Sequence, residues 1–173
     1  MKTLLHFKYL FLLILFSSPL SAENFYVEGS PALVSVDTSG GKTRPLMLDL
    51  RVGYAKPMHQ FELAIMTSIS DDNLNQLTVD IPSVVSVFYH YLPFADNDIQ
   101  LHLIVGASQI EVDSSYPGTA DSSDSFQGVS FGLGLEESFN SMPQLKMSAD
   151  WIRLYQGDDM NITAISLGVH YDF

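Results

Sequence analysis

Hydrophobic and polar positions alternate with a period of two along most of this chain, and no stretch holds a helical period. In 46–54, Leu46, Leu48, Leu50, Val52 and Tyr54 share one parity, while Met47, Asp49, Arg51 and Gly53 share the other. In 127–139, Val129, Phe131, Leu133 and Leu135 oppose Ser130, Gly132, Gly134 and Glu136. In 145–155, Leu145, Met147, Ala149 and Trp151 oppose Lys146, Ser148 and Asp150. In 162–173, Ile165, Leu167, Val169, Tyr171 and Phe173 oppose Ser166, Gly168, His170 and Asp172. Further strand-like runs cover 25–36, 61–69, 79–92 and 101–112, giving eight in all. Turn chemistry separates them at 39–45, 56–60, 71–76, 93–98, 114–125, 140–144 and 156–160. Each strand therefore has one greasy face and one small or polar face.

Eight runs of about nine or more residues suit both the length needed to cross a bilayer and the smallest even-numbered barrel. The final run ends on Phe173, an aromatic ring that water does not favour but a bilayer interface does. Here the chain resembles bacterial outer-membrane β-barrel proteins, the group that includes the OmpA transmembrane domain, OmpX-like proteins and opacity-type adhesins. Two blocks carry the resemblance: Phe88-Tyr-His-Tyr-Leu-Pro-Phe94 with Leu101-His-Leu-Ile-Val-Gly-Ala107, and the closing strands from Gly128 to Phe173. The resemblance implies an all-β fold, a transmembrane antiparallel up-and-down β-barrel of eight strands. It also implies that Ile165, Leu167, Val169, Tyr171 and Phe173 form a signal for the barrel-assembly machinery.

The N-terminus points to export. Lys2 and Lys8 precede an apolar run at 9–16, then Pro19 and the small residues Ser21 and Ala22. That order predicts a signal peptide over 1–22, cleaved near Ala22, with one barrel domain over 23–173. The apolar run is shorter than the roughly 20 residues of a spanning helix. The expected location is the outer membrane of a Gram-negative bacterium, among lipid and lipopolysaccharide.

With 20 acidic against 8 basic residues the net charge is −12, which argues against nucleic acid as a partner. There is no cysteine, so disulfides and thiol chemistry are excluded.

If the polar faces point inward, Asp49, Arg51, Glu62, Glu136, Lys146 and Asp150 form an interior ionic network. Ions in so narrow a barrel must be paired, so a register-fixing plug is the expected role rather than a proton or ion path. Val84, Phe88 and Ile104 also fall on the inner parity and disturb this picture. His90, His102 and His170 lie there as well, with His90 and His102 positioned to face each other across the 93–98 turn. No cysteine or regularly spaced carboxylate completes a metal set, and neither metal nor cofactor is expected. Lys42, Arg44 and Arg153 are candidate contacts for lipopolysaccharide phosphates.

Lipid A deacylases share this architecture but use a His-x-Ser pair. His59, His90, His102 and His170 are followed two places on by Phe61, Leu92, Ile104 and Asp172. The expected role is therefore structural or surface interaction, without catalysis. Rival readings are a small porin or narrow channel, an adhesin, a lipid-modifying enzyme, and a soluble periplasmic barrel with its apolar face inward.

Overall fold

The computed structural model describes residues 24–74, 77–94, 99–118 and 120–173. The predicted signal segment lies outside them. The strands are β1 (Phe25–Thr38), β2 (Gly41–Thr43), β3 (Leu46–Lys56), β4 (His59–Ser70), β5 (Asp72–Leu74), β6 (Leu77–Tyr91), β7 (Ile99–Ser115), β8 (Ser122–Phe139), β9 (Met142–Gln156) and β10 (Met160–Asp172). Eight long strands pair antiparallel in the order β10-β9-β8-β7-β6-β4-β3-β1, and β10 returns to β1 to close the sheet. The seam runs from Tyr26 opposite Asp172 to Thr38 opposite Met160. Closure removes the edges that an open sheet would leave unpaired, as a strand protein in hydrocarbon requires. The short β2 and β5 extend two of the connections at the end opposite the tight turns.

Alternation places the greasy face outward. Leu50, Ile65, Val105, Phe131, Leu133 and Leu167 are exposed, whereas Asp49, Arg51, Glu62, Glu136 and Asp150 are buried inside. A soluble barrel has the reverse arrangement.

Two differences from the sequence pattern have local causes. The Ser- and Asp-rich segment expected as a long loop at 114–125 is strand at both of its ends: Ser114 pairs with Ser122 and Asp113 with Ser123. These positions are wet on both faces, so no hydrophobic alternation marks them, although backbone pairing holds them extended. In β6 the register slips between Asp80 and Ser83, a bulge holding Pro82, which has no N–H to donate. The slip resets the parity, so Val79 and Ile81 point inward before it and Val84, Ser86, Phe88 and His90 after it.

Candidate functional site in the barrel interior

Inward side chains form layers. The turn-side part of the lumen holds a charged layer centred on Arg51 of β3, which is buried. Its Nε donates to Asp49 Oδ2 at 2.8 Å, and its Nη1 donates across the lumen to Asp150 Oδ2 of β9 at 2.5 Å. Nη1 also lies 3.5 Å from Glu62 Oε1 and 3.9 Å from Glu28 Oε1. Several carboxylates thus share one guanidinium, whose planar fork suits multidentate pairing.

A second cluster forms around the end of β10. Lys146 Nζ lies 2.8 Å from Glu136 Oε1 and 3.0 Å from Asp172 Oδ2. His170 sits between the same acids, with Nδ1 3.0 Å from Glu136 Oε2 and Nε2 2.9 Å from Asp172 Oδ1. The Tyr26 ring stacks on His170 at 4.2 Å and its hydroxyl donates to Glu62 Oε2 at 2.9 Å, linking the two clusters. Glu28 ties in through Ser148, whose hydroxyl donates to Oε1 at 2.7 Å. Tyr26 fits because Gly53 stands opposite it in register, where a Cβ would fall 2.1 Å from the ring.

The third group is His90 with His102. Their Nδ1 atoms are 3.3 Å apart, the two rings are buried, and among the described residues neither Nε2 has a hydrogen-bond partner.

Beyond these, Ser86, Ser108 and Ser130 form a hydroxyl ladder across β6, β7 and β8, with O···O separations of 2.7 and 2.6 Å. It ends where Ser130 donates to the Leu154 carbonyl at 3.0 Å. Toward the opposite end an apolar layer fills the lumen, including Val34, Met47, Met66, Ile81, Val84, Ile110, Ile152, Leu154 and Ile162. The interior is therefore ionic only in its turn-side part. Val84, Phe88 and Ile104, apolar residues on the inner parity, belong to this apolar cluster.

Every residue expected in the ionic network points inward, in two linked groups: Asp49, Arg51, Glu62 and Asp150, and Glu136 with Lys146. The sequence reading missed Tyr26 and Glu28. Both parities of β1 carry apolar residues there, so only its pairing with β3 shows which side faces in. Ile165, Leu167, Val169, Tyr171 and Phe173 line the outside of β10 and beyond, with the last two rings edge to face at 5.4 Å. Lys42 lies in β2 with Nζ 3.7 Å from Asp37, and the Arg44 backbone N–H donates to Asp72 at 2.7 Å. Arg153 lies on the outside of β9, its guanidinium 5.8 Å above Phe131 and 6.0 Å above Trp151. The three cations thus occupy separate segments.

A closed antiparallel barrel, greasy outside and filled inside, defines the class as a membrane-spanning β-barrel. Residues 9–173 match the family described as outer membrane protein beta-barrel domain, and the chain belongs to that family. Its fold is similar to that of Ail, the attachment invasion locus protein of Yersinia pestis, solved in complex with the heparin analogue sucrose octasulfate. That likeness has a TM-score of 0.63 at 19% identity, covering 87% of this chain and 99% of Ail. Neisserial surface protein A is similar at TM-score 0.62 and 15% identity, covering 86% of this chain and 97% of that one. The N-terminal barrel domain of Pseudomonas aeruginosa OprF is similar at TM-score 0.60 and 12% identity, covering 87% and 98%. No curated protein matches the chain by sequence.

Proposed function

We propose that this protein is a non-catalytic outer-membrane barrel that presents a surface for interaction and does not conduct ions. The observation that carries this reading is the contrast between its two ends. Apolar side chains such as Met47, Met66, Ile110 and Ile152 pack together within the lumen, a poor path for hydrated ions. Meanwhile β6, β7 and β8 run to 15, 17 and 18 residues, well beyond the about 9–11 that cross a bilayer. Their surplus length stands at the long-loop end as a hydrophilic sheet.

That sheet carries Asp80, Glu111, Asp113 and Asp124, with Asp121 just before β8, so its chemistry fits a cationic partner. Ail was solved with a sulfated sugar, a polyanion, and the acidic sheet of this chain argues for a ligand of opposite charge. Lys42, Arg44 and Arg153 remain for lipopolysaccharide phosphates, and the outward stripe ending at Phe173 for the assembly machinery. Export through the segment ending near Ala22 is part of the same reading.

The test is paired. Purified folded barrel in planar bilayers is expected to show no steady conductance. Cells displaying it are expected to attach to polylysine-coated surfaces more than cells carrying Asp113→Asn, Asp121→Asn and Asp124→Asn together. Steady single-channel currents, changed by Lys146→Ala, would support the narrow-channel reading instead. Equal attachment by both strains would remove the surface reading.

A further inference from the structure

We propose that His90 and His102 form a two-imidazole site for a divalent transition-metal ion on the turn side of the barrel interior. The ligand class is a borderline metal that prefers imidazole nitrogen, zinc or copper. Two nitrogens on one tetrahedral zinc at about 2.0–2.1 Å stand roughly 3.3–3.4 Å apart. The two Nδ1 atoms stand at 3.3 Å, with the rings inclined by 76°.

The protein partners of these rings are compatible with a bound metal. In a direct Nδ1–H···Nδ1 bond one ring carries its proton on Nδ1 and the other on Nε2. With an ion between the Nδ1 lone pairs, both rings carry their proton on Nε2. The Nε2–H of His90 then faces Glu62 Oε1, 3.5 Å away. A carboxylate behind the non-ligating nitrogen is the usual support of a metal-bound histidine. Glu62 is itself held by the Tyr26 hydroxyl and by Arg51.

Position and charge favour the ion as well. His90 is the penultimate residue of β6, and His102 lies near the start of β7, beside the connection at the short-turn end. The interior holds Glu28, Asp49, Glu62, Glu136 and Asp150 against Arg51, Lys146 and His170, so carboxylates outnumber their partners and a divalent cation enters a negative field.

The test uses the folded, untagged barrel extracted from outer membranes, titrated with Zn²⁺ or Cu²⁺ by calorimetry. One ion is expected per barrel. Affinity should fall to below about a tenth of wild type in His90→Gln and in His102→Gln, and stay unchanged in His59→Gln, whose ring bonds Tyr89 on the outside. A boiling-dependent gel shift checks that each variant is folded. Cu²⁺ electron paramagnetic resonance of the wild-type barrel, which needs no variant, should show two imidazole nitrogens. No binding to the folded wild type, unchanged affinity in folded His102→Gln, or a copper spectrum without imidazole nitrogen would each overturn the proposal.

Discussion

Arg51 of β3 and Asp150 of β9, 99 residues apart in sequence, meet across the lumen in a direct guanidinium–carboxylate contact. Two strands, β1 and β10, separate them around the barrel wall. The contact is therefore a brace across the barrel rather than a neighbour pair, and it forms only when the seam has closed in register. Around it, Asp49, Glu62 and Glu28 depend on the same guanidinium.

Removing the cation leaves those carboxylates buried without their partner, a loss of about 3–5 kcal/mol. Arg51→Met should lower the urea midpoint of the folded barrel in micelles accordingly. Arg51→Met with Asp150→Asn should lose less than the two single changes added together, because they share one interaction. Additive losses would show that the brace contributes little.

The chain has a single tryptophan, and it faces outward beside Phe131. Trp151 fluorescence should shift to the blue when the barrel enters vesicles and should be quenched by lipids brominated on their acyl chains. Fluorescence insensitive to brominated lipid would contradict a hydrocarbon-facing outer surface on β9.

Tyr26 occupies the space that a side chain at position 53 would need. Gly53→Ala should displace the ring from His170 and Glu62 and cost about 1–3 kcal/mol, as overpacking does. In the background of Tyr26→Ala, the same glycine change should cost much less. Equal costs in both backgrounds would mean that the ring moves aside freely.

Phe173→Ala removes an outward ring packed on Tyr171, keeps the backbone bond to the Phe25 carbonyl and touches no charged interior contact. Purified protein should refold with an almost unchanged urea midpoint, whereas its level in outer membranes should fall several-fold. A normal cellular level would remove Phe173 from the assembly signal.

Much of this architecture was legible because a strand barrel writes its two faces into alternate residues. The period of two, the strand count and the grouping of Asp49, Arg51, Glu62, Glu136, Lys146 and Asp150 on the polar sides of their strands all follow from parity. Parity failed where its physical basis failed. At the bulge beside Pro82 the face switches within one strand. In Ser122–Ser125 both faces are wet, so pairing leaves no hydrophobic mark.

The sequence by itself determined which residues share a side of each strand, because the pleat makes that a local property. Only the closed tertiary structure decided what meets inside: Arg51 with Asp150, Tyr26 with Gly53 and His170, and His90 with His102. It also decided that the lumen is apolar toward the end away from the tight turns. A greasy residue facing inward and one facing lipid look alike in sequence, and they differ only in which side of the wall closure puts them on.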